Sequence, residues 1–168
     1  MDITQEILDD HAEQRKLFAT LEQIGDDVAA LTAVWGRLAA LLDAHAEAEE
    51  ELFYPALLQL GKREGDSEPA EETEDAVHDH NEIRDAVQAV KDEQVGSDAW
   101  FEAVAKANEV NGDHMAEEER EGLTEFRRKV SLEERHDLAV KFVAFEAKHI
   151  TGVRPVDKDP KAYVRENS

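Results

Sequence analysis

Cysteine is absent from this 168-residue chain. Disulfides, thiolate metal sites and thiol nucleophiles are excluded together. Basic residues are scarce: 19 Lys and Arg face 41 Asp and Glu, for a net charge of −22. Nucleic acids and anionic membrane surfaces are held by basic patches, so neither is an expected partner. No run of about 18 apolar residues is there to span a membrane. The acidic start Met1-Asp2-Ile3-Thr4-Gln5-Glu6 does not read as a signal peptide. These absences predict a soluble, cytoplasmic protein. Aromatic residues are only 6% of the chain, but hydrophobic residues reach 41%, mostly Ala, Leu and Val. A chain of this length is one domain with a single substantial core. The acidic excess keeps helix surfaces solvated, and it sets up a negative field that concentrates cations.

Apolar residues recur at helical spacing almost throughout, while strand-like alternation is nearly missing. The pattern predicts one helix over about residues 4–24, ended by Gly25-Asp26-Asp27, and a long second one over 28–60, stopped at Gly61. Residues 61–72 read as the loop joining two halves, 1–61 and 73–130. A third helix starts at Pro69 or Glu74 and runs to 93; a fourth covers 98–130, with Ser97 as its cap. Ser131 and Glu134 have capping-box spacing and begin a fifth helix over 131–152. Residues 153–168, with Pro155 and Pro160, read as an irregular tail. The fold class is all-α: an antiparallel, up-down-up-down four-helix bundle over 1–130, with the fifth helix packed outside it.

The chain also says one thing twice. Asp10-His11-x-Glu13-x-Arg15 returns as Asp79-His80-x-Glu82-x-Arg84, and His45-x-x-x-Glu49-Glu50 returns as His114-x-x-x-Glu118-Glu119. One offset of 69 residues takes His11 to His80, His45 to His114 and Glu49 to Glu118. At about 100° per residue, Glu49 lies about 40° round from His45 and one turn along, so both point to one place. His45 and Glu49 interrupt an apolar stripe of Leu38, Leu42 and Leu52, which should face the core. A buried carboxylate without a partner costs several kcal/mol or shifts its pKa until neutral. Two buried glutamates at equivalent positions need a cation, and a metal supplies one. Imidazole and carboxylate ligands without sulfur suit iron, manganese or zinc.

These residues resemble the hemerythrin-like, or HHE cation-binding, family. The likeness rests on His11 in the first helix, His45-x-x-x-Glu49-Glu50-x-Leu52-Phe53-x-Pro55 in the second, His80 in the third and His114-x-x-x-Glu118-Glu119 in the fourth. It spans about residues 3–130. It implies a four-helix bundle around a non-haem di-iron centre, two iron ions with an oxo or hydroxo bridge. Glu49 and Glu118 would be the bridging carboxylates, and His11, His45, His80 and His114 the imidazole ligands. Members of the family bind dioxygen, sense oxygen or iron, or act on small oxidants.

The chain departs from the pattern of the oxygen-carrying members on two helices. They place a second histidine on the third helix, four residues before the one matching His80; here that residue is Ala76. Further ligand candidates are Glu50, Glu119 and Tyr54. On an ideal helix Tyr54 falls nearly opposite His45, although Pro55 removes a backbone N–H and distorts that turn. The fourth helix of the oxygen-carrying members usually spaces histidine and carboxylate by five; here Glu118 and Glu119 offer both choices, and repeat symmetry favours Glu118. His78 lies about 200° round the helix from His80, His136 has no supporting context, and Glu146 with His149 read as surface residues. The expected function is reaction with a small oxidant: peroxide, dioxygen or nitric oxide. The specific expectation is a catalase-like, peroxide-consuming oxidoreductase. The alternative is an oxygen or iron binding or sensing module without turnover.

Overall fold

The computed structural model describes residues 1–168. It is all-helical: α1 (Ile3–Gln23), α2 (Val28–Ala48), a π-helical turn (Glu49–Phe53), α3 (Tyr54–Glu64), α4 (Glu68–Asp92), α5 (Asp98–Arg120), α6 (Gly122–Lys129), α7 (Leu132–Lys148) and α8 (Pro160–Asn167). Four rods form the bundle: α1; α2 running through the π turn into α3; α4; and α5 continued by α6. Side-chain caps start α2, α5 and α7 where the sequence predicts. Asp27 accepts from Ala30 N–H, Ser97 from Trp100 N–H, and Ser131 with Glu134 closes the capping box of α7. Each cap satisfies a donor that the first helical turn leaves free.

The joint between the halves is shorter than the sequence suggests. The second rod continues past Gly61 to Glu64, and Gly65 ends it at φ 71°, a conformation that costs glycine nothing. Helix α4 begins at Glu68 with Pro69 in its first turn, so residues 65–67 alone form the loop. Gly61 instead makes room for that loop, since a Cβ there would meet Asp66 O at 2.9 Å and push it away. The fourth rod, expected to be continuous, breaks at Glu121 (φ −109°, ψ −86°). The tail is also corrected. Pro160–Asn167 is a helix, because Asp159 caps it, Pro160 suits its first turn, and Tyr163 is buried against the bundle.

Two apolar clusters fill the bundle at different heights. One, with Leu17, Phe18, Leu31, Trp35, Val87 and Trp100, sits near the α1–α2 and α4–α5 turns. The other, with Ile3, Phe53, Leu57, Val77, Phe126 and Phe142, sits near the opposite end. Between them lies a layer of buried polar side chains from α1, α2, α4 and α5. Helix α7 packs across α1, α2 and the π turn, while α8 packs on α4 and α3. No helix is long and apolar enough to cross a membrane.

Candidate metal centre

His11, His45, Glu49, His80, His114 and Glu118 converge in that polar layer, all of them buried. The repeat explains the convergence: two similar helix hairpins meet face to face, and equivalent positions arrive at equivalent heights. Each histidine treats its two ring nitrogens differently. Nδ1 turns outward to a carboxylate: His11 to Glu119 Oε1 at 2.9 Å, His45 to Asp10 Oδ2 at 3.2 Å, His80 to Glu50 Oε1 at 2.8 Å, and His114 to Asp79 Oδ2 at 3.5 Å. Nε2 turns inward. His45 Nε2 lies 3.1 Å from Glu49 Oε1, and His80 Nε2 lies 3.3 Å from Glu49 Oε2. His11 Nε2 is 3.4 Å from Glu118 Oε2, and His80 and His114 bring their Nε2 atoms to 3.1 Å.

Two trios, His11–His45–Glu49 and Glu49–His80–His114, each hold their ligand atoms within 4.8 Å of one another, so each could hold a metal ion. Glu49 belongs to both and offers one oxygen to each. Nε2 of His11 and His45 and all four carboxylate oxygens of Glu49 and Glu118 are buried without a hydrogen bond. An unmatched buried polar atom costs roughly 1–3 kcal/mol, so a cation fits this donor set better than a dry core does. A carboxylate on Nδ1 fixes the tautomer and aims Nε2, the usual support for a metal-binding histidine.

The protonation pattern without metal is strained. Burial, with the charge of His45, pushes His11 down to about 4; burial also lowers His114. His45 goes the other way: burial opposes its charge, but Glu49 and Asp10 hold its proton well above the usual range. His80 is raised against burial by Glu49 and Glu50. Burial also opposes ionisation of Glu49, yet His45 and His80 hold it well below the carboxylate range. Glu118 is pushed well above that range by burial and by the charge of Glu49.

Glu50 and Glu119, candidate ligands in the sequence, are not in the inward cluster. They lie on the outer nitrogens of His80 and His11, so the structure corrects that expectation. Arg84 pairs with Glu50 at 2.9 Å and Arg15 with Glu119 at 2.8 Å. Asp10, Asp79, Arg15 and Arg84 are visible in the sequence as members of the repeat, but their support of the histidines shows only in the folded chain. Tyr54 is corrected in the other direction. Its N–H bonds Glu49 O, five residues back, because the π turn adds a residue to that coil. The extra residue swings Tyr54 about 100° toward the cluster, and its hydroxyl lies 3.4 Å from His80 Nε2. Burial and the charges of Glu118 and Glu49 hold its phenol well above its ordinary pKa.

Other candidates fall outside. His78 is exposed beside Glu82, His149 bonds Phe145 O, and His136 meets the N-terminal amine. Glu146 is not a free surface residue: its Oε1 stands 4.0 Å from His45 Nδ1, and burial, then the charge of Asp10, push it up to about 8. With Asp10 and His45 it makes a third trio on the outward side of that ring, its Oε1 buried without a hydrogen bond, and it lies outside the inward cluster.

The two half-sites are not equally enclosed. Glu119 remains partly open, whereas the Glu50 side chain is fully buried. Lys158, from the segment leading to α8, puts Nζ 2.5 Å from Glu50 Oε2 and 2.9 Å from Glu47. The Asn81 amide holds the Lys158 backbone by two hydrogen bonds, and the Tyr163 hydroxyl donates to Glu50 O. Burial opposes the charge on Glu50, but His80, Arg84 and Lys158 bring its carboxyl down to about 2. Tyr163→Phe should leave a buried carbonyl short of a donor, costing about 1–3 kcal/mol and several degrees of melting temperature. Lys161→Met, on the exposed face of the same helix, should leave the melt unchanged. Equal melting curves for both variants would show that the tail does not brace Glu50.

The model of the family described as "Hemerythrin HHE cation binding domain" matches residues 2–126. The chain belongs to the hemerythrin HHE cation-binding family. Cation binding is thus the property to which its buried His/Glu cluster answers. Among curated proteins, a DNA nickase from Nostoc sp. is 27% identical over 148 residues, 88% of this chain and 40% of that protein. The chain therefore spans less than half the length of that relative. No solved structure matches.

Proposed function

We propose that this hemerythrin-family chain holds two irons and consumes a small neutral oxidant, with hydrogen peroxide the specific substrate. Ligands in this reading are His11 and His45 on one side, His80 and His114 on the other, with Glu49 and Glu118 between them. The supporting observation is Glu49, whose two oxygens face Nε2 atoms of different trios. When bound, two irons supply the electron pair that peroxide disproportionation moves between one peroxide molecule and the next. The chain's own part is positional. Asp10, Glu50, Asp79 and Glu119 hold the imidazoles in register. Tyr54 keeps its phenolic proton beside His80 and is placed to donate a hydrogen bond to a small molecule there.

Ala76 favours turnover over reversible carriage. Where an oxygen carrier has an imidazole, this chain has a methyl group lining a cavity of about 210 Å³ that reaches His114, Glu118 and Tyr54. The nickase activity in the relative's name is left with that protein: a net charge of −22 repels the DNA backbone. Elemental analysis should find iron at both positions; zinc without iron would overturn the metal assignment. Added peroxide should give dioxygen at an oxygen electrode, and the reduced protein should show no oxygenated spectrum that reverses under vacuum. A reversible spectrum with no oxygen evolution would restore the carrier reading.

A further inference from the structure

The cavity above Ala76 has a charge that its size does not require. It opens between α3, α4 and the junction of α5 with α6. Exposed Glu68, Glu71, Asp75 and Glu117 stand at its mouth, with Glu72 and Glu121 further in. No lysine or arginine lines it. Arg120 pairs with Glu117 and Glu121 from outside, at 3.7 and 2.7 Å, but Glu68, Glu71, Glu72 and Asp75 make no ion pair. One Glu72 oxygen is buried without a partner, and burial plus the charges of Glu68 and Glu121 hold that carboxyl up to about 7. At the inner end is Glu118, 8% exposed, with both oxygens lacking any hydrogen bond.

Uncompensated acids crowded on one face destabilise a fold by mutual repulsion. Elsewhere the chain answers its acids near the cluster: buried Glu50 has Arg84 and Lys158, and partly open Glu119 has Arg15. Two other approaches to the cluster are covered. Phe142 of α7 packs edge-on against His45, with ring centroids 5.9 Å apart, and the segment before α8 seals Glu50. The approach lined by acids is open as far as His114 and Glu118.

We propose that this cavity is the entry vestibule for divalent cations, along which Fe²⁺ passes from Glu68, Glu71, Glu72 and Asp75 to Glu118. The proposal rests on the reading of the His/Glu cluster as a metal centre. Low-dielectric walls of one sign focus the field and raise the local concentration of the opposite ion, which accelerates arrival without changing the final occupancy. The same field slows anions and leaves neutral molecules such as peroxide untouched. Ala76 keeps the inner end open, since a larger side chain there would project into the space before Glu118 and Tyr54.

The test follows metal uptake by the full chain, independently of turnover. Metal-free protein is mixed with Fe²⁺ under anaerobic conditions at low salt. Loading is followed by stopped flow with a chelating dye, and azide binding is followed spectroscopically on the loaded, oxidised protein. In the variant E68Q/E71Q/E72Q/D75N, Fe²⁺ uptake should slow about tenfold and azide should bind faster, with the final iron content unchanged. A control of equal net charge, E22Q/D85N/D92N/E102Q, alters acids at the far end of the bundle and should load like the parent. Ala76→Leu should slow Fe²⁺ by obstruction, and it should slow peroxide too. Wild-type protein that takes up no Fe²⁺ at equilibrium would overturn the metal reading and the vestibule with it. Normal loading of the parent, matched by equal rates in the quadruple variant and the control, would overturn the vestibule alone.

Discussion

Glu49→Ala should leave the purified chain almost free of iron, a larger loss than any other single substitution in the cluster produces. Glu49 alone belongs to both trios, with one oxygen 3.1 Å from His45 Nε2 and the other 3.3 Å from His80 Nε2. Removing it deprives both positions of their anion at once. Two cations held close together by neutral imidazoles repel each other without a carboxylate between them. Glu49→Gln should also fail, although the amide preserves the shape of the core; its loss would therefore reflect charge and not collapse. Glu118→Ala removes a carboxylate 3.4 Å from His11 and should lower occupancy strongly, while leaving the Glu49 trios intact. Glu119→Ala only frees the His11 ring at Nδ1, where lost support typically costs 10–100-fold in metal affinity. Elemental analysis after dialysis against a weak chelator ranks the variants. If Glu119→Ala loses iron and Glu118→Ala does not, the fourth rod follows the five-residue spacing of the oxygen-carrying members, from His114 to Glu119. If Glu49→Ala keeps both metals, the shared-carboxylate assignment is wrong.

The repeat makes most of the centre legible because it is arithmetic on the sequence, and helices at one offset carry it into space unchanged. It carries the outer residues as well as the inner donors, Asp10 and Arg15 with His11 and Asp79 and Arg84 with His80, but not their partners. Asp10 serves His45 and Asp79 serves His114, each across a hairpin, so no local pattern shows the pairing. Tyr54 is misplaced by the sequence for a different reason. Putting it opposite His45 assumes a constant turn, and the π turn at Glu49–Phe53 breaks that assumption. Pro55 is the local hint, since it has no N–H to give the carbonyl four residues back. The break at Glu121 has a weaker signal in Gly122, a poor helix former beside it. Helix α8 escapes the sequence reading because eight residues do not form a stable helix alone; burial of Tyr163 against the first core cluster supplies the stability.

Stripping the metal should lower the melting temperature by several degrees, and the difference should widen as pH rises above about 6.5. In the metal-free fold His45 and His80 hold protons that the unfolded chain releases near the ordinary histidine pKa of 6.5. Glu118 holds one that the unfolded chain loses at an ordinary carboxylate pKa of 4.5. Their folded pKa values are raised, so above pH 6.5 the folded state binds more protons than the unfolded state, and its stability falls as pH rises. His11, lowered to about 4, acts oppositely, but its effect is confined to the window between about 4 and 6.5. Metal reverses the balance. A cation needs Nε2 of His45 and His80 and the Glu118 carboxylate free of protons, so loading should expel protons from these groups. Raising the pH therefore strengthens metal binding while it weakens the empty fold. Calorimetric titration of metal-free protein in two buffers of different ionisation enthalpy counts the protons released, and melting curves of both forms at pH 6, 7 and 8 give the widening gap. Loading that releases no protons would mean the cation binds away from these three side chains, and a gap that narrows with pH would give the linkage the wrong sign.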